Sequence, residues 1–317
     1  MHTVTGGGAK KGAAYLLRWQ QLWARYEREA QSSDWHGFIE WLLDRRSGLR
    51  PATWRQYRAA VVYVLDLHAV ADADYFHARL MERPINPVSQ KDLPARTSSS
   101  KAKTLSNADM GALVDYLSKH EGRWDQLTGL WLIWGAITGL RPVEWRDVVP
   151  QRHEGEVILS VRNAKHDSQR ANGPIRTVHV RHSEEALASL LDFIKELQAE
   201  QFEEVYEGCR LALRRATKTL WPRRKKQITL YSARHQFAAD AKSAGLAPEV
   251  IAALMGHAVV ETHEAHYGKR RSGRGHVAVE AEAADIARVI ERRAQKSAMM
   301  QNTKASSNPN RPDGFGF

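Results

Sequence analysis

Two arginines, a lysine, a histidine and two tyrosines stand in four short stretches of this sequence. The first stretch, Thr138-Gly139-Leu140-Arg141-Pro142-Val143-Glu144, closes an apolar run. A glycine turn followed by Arg and Pro puts Arg141 at a helix start, where its guanidinium and backbone N–H groups can face an anion together. The competing reading is a surface arginine paired with Glu144. The second is Lys165, in a polar tip between two alternating runs, which taken alone is a solvated lysine. The third, Tyr231-Ser232-Ala233-Arg234-His235, opens a helix after the basic run Arg223-Arg224-Lys225-Lys226. The fourth is Leu254-Met255-Gly256-His257, with Tyr267 ten residues beyond His257. A Gly-His pair at a helix junction can project one imidazole into a cleft. His257, His263 and His266 also allow a metal-cluster reading, but no carboxylate or Cys pair completes a familiar site, so no metal is expected.

Taken together, the order Arg, Lys, x-x-x-Arg-His, Gly-His, Tyr resembles the tyrosine recombinase family, which includes phage integrases and XerC/XerD-type resolvases. The likeness covers residues 104–268, and the segment 13–83 is similar in size and pattern to that family's core-binding domain. The resemblance implies that Tyr267 is the nucleophile on a DNA phosphodiester and forms a 3′-phosphotyrosyl bond. It implies that Arg141, Arg234 and His257 hold the phosphate and that Lys165 protonates the leaving 5′ oxygen. Paired guanidiniums suit that work, since each can donate parallel hydrogen bonds to phosphate. The family usually has His three residues before its second arginine; here that residue is Tyr231. A tyrosine there can hydrogen-bond but cannot act as a neutral-pH base. The resemblance further implies no cofactor, double-stranded DNA as partner, a homotetramer on paired recombination sites and accessory DNA-bending proteins. Two other functions fit the same residues: a DNA-binding or architectural protein without catalysis, and a type IB topoisomerase.

The elements that must position these residues can be read from periodicity. Apolar residues recur at helical spacing from residue 13 to 70, with Pro51 suited to a first helical turn. Pro84, Pro87 and Pro94 precede a polar basic run that reads as a linker. A helix is predicted from Ser106, with Asp109 as a capping-box variant, and a strongly apolar one over 127–137. The contiguous Trp131-Leu132-Ile133-Trp134 suits core packing rather than base stacking. Val157, Leu159 and Val161 then alternate, and Ile175, Val178 and Val180 form a partner run, which together predict a β-hairpin. Helices are predicted again over 183–220, 232–244, 248–255 and 259–267. A last stripe, Ile286, Val289 and Ile290, reads either as folding back on its own domain or, with slight preference, as docking into a neighbouring subunit.

The predicted fold is mainly α with a small antiparallel β-sheet. Residues 12–90 form a helical core-binding (SAM-like) DNA-binding domain, 91–103 a linker, and 104–297 a mixed α+β catalytic domain. Residues 1–11 and 298–317 read as disordered. The two domains are expected to grip duplex DNA as a clamp.

Bulk composition agrees with this. The 317 residues carry 47 Lys+Arg against 36 Asp+Glu, a formal charge of +11, which favours a polyanionic partner. A single cysteine excludes an intrachain disulfide and a Cys-based zinc site. No apolar run approaches the ~20 residues of a membrane span, and the first residues lack the apolar stretch of a signal peptide. A cytoplasmic, nucleoid-associated protein is expected.

Overall fold

The computed structural model describes residues 6–82, 101–164, 166, 171–260 and 267–306. The chain divides into two units, Met1–Arg96 and Thr97–Phe317. The fold is mainly α with a small antiparallel sheet.

The first unit comprises α1 (Gly6–Ala30), α2 (Trp35–Asp44), α3 (Pro51–Leu67) and α4 (Ala73–Met81). Asp34 caps α2: its Oδ1 accepts from Gly37 N at 2.6 Å and its Oδ2 accepts from Tyr26 Oη at 2.9 Å. Pro51 opens α3, where a missing N–H costs nothing. The core is aromatic and aliphatic, with Tyr26, Phe38, Ile39, Val61, Leu65 and Phe76 buried. α1 starts at Gly6, inside the stretch 1–11 that the glycine and lysine content marks as loose. Once the amphipathic part of a helix is packed, each added turn costs little because nucleation has been met.

The second unit begins with α5 (Asn107–Ser118) and α6 (Asp125–Thr138), followed by a 3₁₀ helix, Pro142–Asp147. Ser106 Oγ accepts from Asp109 N at 3.1 Å and so caps α5 as predicted. The sheet order is β1 (Val149–His153), β2 (Glu156–Arg162), β3 (Ile175–Arg181) and β4 (Val279–Ala281), antiparallel throughout. The predicted hairpin is β2–β3. The outer strands were not predicted: β1 is nearly all exposed and β4 spans three residues, so neither shows apolar alternation. Helices α7 (Glu184–Gln198), α8 (Phe202–Leu220), α9 (Leu230–Ser243), α10 (Pro248–Leu254) and α11 (Ala283–Ser306) complete the unit. Trp131, Trp134 and Trp145 are all buried in its core, together with the lone cysteine, Cys209 on α8. Burial pushes the Cys209 thiol up to about 11.

Three expectations need correction. In β3 the inward residues are Arg176, Val178 and Val180, facing the buried Val161, Leu159 and Val157; Ile175 points outward and is exposed. Strand parity is strict, so Ile175 cannot share a face with Val178. The linker reading over 91–103 runs too far. Ala102 is buried, donates its N–H to Gln227 O at 2.8 Å and accepts from Ser232 Oγ at 2.8 Å, so the chain is already part of the second unit there. α11 runs to Ser306, past the expected boundary at 297. Val289 on α11 is buried against Ala252 and Ala253 of α10 and Ile286 packs beside it, whereas Ile290 is exposed. Of the helix predicted over 259–267, residues 261–266 lie outside the described residues, as does the segment 83–100.

Candidate active site

One glycine and one helix bring the first and third stretches together. α6 ends in a left-handed Gly139 at φ +68°, whose missing Cβ leaves room for the ring of Phe237 on α9. The chain then turns so that Arg141 sits at the cap of the 3₁₀ helix, with Pro142 as its first residue. Arg141 does pair with Glu144, but in the interior rather than on the surface. Its Nη1 donates to Glu144 Oε1 at 2.6 Å and its backbone N to Oε2 at 2.7 Å, with both side chains buried.

On α9, Tyr231 and Arg234 are three residues apart and therefore share a face. Arg234 is buried, and each of its three side-chain nitrogens has a partner. Nη1 donates to Gly139 O at 2.5 Å, and Nη2 donates to Met255 O at 2.6 Å and lies 3.0 Å from His257 Nε2. A guanidinium only donates, so His257 Nε2 accepts and the neutral ring carries its proton on Nδ1. The remaining nitrogen of Arg234, Nε, donates to Tyr267 Oη at 3.4 Å. The Arg234 guanidinium also lies 5.3 Å from the centre of the Tyr267 ring.

Three of the predicted residues, Tyr231, Arg234 and His257, thus lie against Tyr267. Its Oη lies 2.7 Å from Tyr231 Oη, and its ring lies 5.1 Å from that of His257 and 4.9 Å from that of His235. Burial acts to raise the Tyr267 phenol, but Arg234, the Tyr231 hydrogen bond and Arg141 outweigh it, so the net shift is downward. Tyr231 goes the other way: burial dominates and raises it. Tyr231 is thus the weaker acid of the two and the one suited to donate to Tyr267. His235, beside them, is held down at about 4 by burial, Lys103, Arg234 and Lys242, so it is neutral at pH 7.

Glu144 was noted only as a possible partner for Arg141. It is a buried carboxylate shared among guanidiniums. Besides Arg141 it accepts from Arg176 Nη2 at 2.8 Å, and Arg234 Nη1 is 3.7 Å away. Burial opposes its charge, but Arg176, Arg141 and Arg234 hold it well below the usual carboxylate range. Arg176 was missed altogether in the sequence. The signal that could have found it is its place two and four residues before the buried Val178 and Val180.

Lys165, His263 and His266 lie outside the described residues. The neck beneath Lys165 is described. Asn163 Nδ2 donates to Asn172 O at 3.1 Å and to Gly173 O at 2.9 Å, and Asn163 N donates to Pro174 O at 2.8 Å. Among the described residues no group of three or more His, Cys, Asp or Glu could hold a metal ion, and no helix is long and apolar enough to cross a membrane.

No family model matches the chain, and no curated protein matches it in sequence. Among solved structures it is similar to the XerH site-specific recombinase bound to difH substrate in a pre-cleavage complex, at 18% identity, covering 83% of this chain and 77% of that one, with a TM-score of 0.47. It is similar to the Tn1549 transposon integrase in complex with transposon right end DNA, at 15% identity, covering 84% of this chain and 90% of that one, with a TM-score of 0.43. It is also similar to a lambda integrase dimer bound to a COC′ core site, at 15% identity, covering 75% of this chain and 91% of that one, with a TM-score of 0.35.

Proposed function

We propose that this chain is a tyrosine-type site-specific DNA recombinase that cuts and rejoins strands through Tyr267, serving the integration or excision of a mobile element. The observation that carries the reading is the environment of one atom. Tyr267 Oη has two donors aimed at it, Tyr231 Oη and Arg234 Nε, and Arg141 and His257 complete a cationic and polar surround.

The chemistry follows from that surround. Tyr267 gives its proton to water, and the phenolate is held by the Tyr231 hydroxyl and Arg234. Its oxygen attacks the phosphorus as the bond from phosphorus to the 5′ oxygen breaks, leaving a 3′-phosphotyrosyl link. Arg141, Arg234 and His257 stabilise the negative charge on the non-bridging oxygens. The departing 5′ oxygen takes a proton from Lys165. Attack by another 5′-hydroxyl reverses these steps and joins a new pair of strands. One phosphoester replaces another, so the cycle needs no nucleotide hydrolysis.

In this reading the first unit is a core-binding domain and the second, with Ala102 at its start and α11 at its end, the catalytic domain. The partner is duplex DNA, and a homotetramer on paired sites, aided by DNA-bending proteins, carries out exchange. The protein works in the cytoplasm, on the nucleoid.

The test uses a randomised pool of nicked duplexes, in which the short strand diffuses away after cleavage and traps the covalent complex. Adducts are resolved on denaturing gels and their DNA is sequenced. Adduct is expected from the wild-type chain and none from Tyr267→Phe. DNA binding without adduct would replace this reading with a non-catalytic DNA-binding protein. Relaxation of supercoils lacking paired sites would point to a topoisomerase.

A further inference from the structure

Three guanidiniums and one carboxylate are buried around this site, and the phosphate chemistry above uses only two of the guanidiniums. The third, Arg176, faces inward from β3 with no exposed side-chain surface. Its nitrogens reach three separate segments. Nε donates to Leu254 O at 2.9 Å, at the end of α10 and two residues before Gly256. Nη1 donates to Asn163 Oδ1 at the hairpin neck. Nη2 donates to Glu144 Oε2 at 2.8 Å. The packing leaves no slack: Gly256, at φ +60°, has no space for a Cβ because Asn163 Oδ1 and Arg176 Nη1 fill it.

The position of Glu144 makes Arg176 consequential. A buried carboxylate at hydrogen-bond distance cancels much of a guanidinium's field, because little solvent intervenes. Glu144 is bonded to Arg141 and faces Arg234 at 3.7 Å. With those two as its only cations, its charge would fall entirely on the residues assigned to the phosphate. Arg176 engages Oε2, the same oxygen that faces Arg234. We infer that Arg176 is a charge-balancing and positioning residue of the phosphoryl-transfer site: it occupies Glu144, leaving Arg141 and Arg234 in positive surplus toward the phosphate, and does not itself touch DNA. This rests on the reading of Tyr267 as the nucleophile.

The test compares two nicked duplexes carrying a site recovered from the adduct pool. One has an ordinary scissile phosphate. The other has a methylphosphonate, in which a methyl group replaces one non-bridging oxygen and removes the negative charge that the guanidiniums must neutralise. Adduct formation is timed for the full-length wild type, Arg176→Met, Arg176→Lys and the pair Arg176→Met with Glu144→Gln, with melting temperatures measured alongside. Arg176→Met is expected to slow adduct formation by ~100-fold on the phosphate and by less than ~10-fold on the methylphosphonate. Arg176→Lys keeps the charge but loses the three-way fork, so both rates fall together and their ratio stays as in wild type. Removing the carboxylate as well, in the paired variant, is expected to recover ~10-fold or more on the phosphate. This pair and Arg176→Lys carry the comparison if Arg176→Met does not fold.

A purely architectural role for Arg176 slows both substrates by one factor and gains nothing from Glu144→Gln; that result overturns the inference while leaving the Tyr267 reading intact. Absence of any Tyr267-dependent adduct from the wild type overturns both.

Discussion

Tyr231 and Tyr267, 36 residues apart in sequence, meet through their phenolic oxygens at 2.7 Å. The two phenols are pushed in opposite directions, Tyr231 up by burial and Tyr267 down on balance by Arg234, Tyr231 and Arg141. The pair therefore joins a weaker acid, Tyr231, to a stronger one, Tyr267. In the proposed mechanism the tyrosine that replaces the expected histidine supplies no base and instead stabilises the phenolate once the proton has gone.

The first prediction concerns that hydrogen bond. Tyr231→Phe removes the donor, so the Tyr267 phenol rises and the rate of adduct formation at pH 7 falls by ~10-fold to 100-fold. The rising limb of the pH–rate profile moves to higher pH. Tyr231→His restores a donor and most of the rate. A Tyr231→Phe profile that overlays the wild type would remove Tyr231 from the mechanism.

Arg234 has a double burden. Its Nη groups hold Gly139 O and Met255 O, which tie the ends of two segments to α9, while Nε addresses Tyr267. Arg234→Lys can satisfy only part of this. The expected outcome is at least ~100-fold slower adduct formation together with a stability loss of ~3 kcal/mol, since buried carbonyls lose their donors. Denaturant unfolding and adduct kinetics on the same preparation check both.

Glu144 should make the second unit acid-sensitive. Its folded pKa lies below its unfolded value of about 4.3. Above that value its contribution to stability is complete. As pH falls through and below it, the unfolded chain binds the proton first and the contribution is lost progressively. Unfolding free energy measured against pH should therefore drop more steeply for the wild type than for Glu144→Gln below about pH 4. Parallel curves would show that the buried carboxylate is not charged.

Gly139→Ala tests the turn that delivers Arg141. A methyl group at φ +68° meets both backbone strain and the Phe237 ring. A cost of about 2–4 kcal/mol is expected, read as a lower denaturation midpoint. A pairing with Phe237→Ala should relieve the steric part and leave the strain.

The sequence made the chemistry more legible than its scaffold. Arg141, Tyr231, Arg234, His257 and Tyr267 could be picked out because their spacing is a pattern in one dimension, and the structure does gather them around one phenol. Ser106 and Pro51 were readable for another reason: capping and first-turn preferences act within a few residues. Tertiary partners were not readable. Arg176 drew no notice because its three acceptors, Glu144, Asn163 and Leu254, come from three different places in the chain. β4 escaped notice because three residues hold a strand only when β3 is already there to pair with. Ile175 was misassigned because its apolar character outweighed the parity of its neighbours.

Cys209 offers an instrument. It is the chain's one thiol, sealed inside α8 and kept protonated by burial at any ordinary pH. Alkylating reagents attack the thiolate and need access to it, so reaction must wait until that helix leaves its neighbours. The pace of labelling therefore clocks the opening of the second unit, and with a single sulfhydryl in the molecule the signal has a single origin.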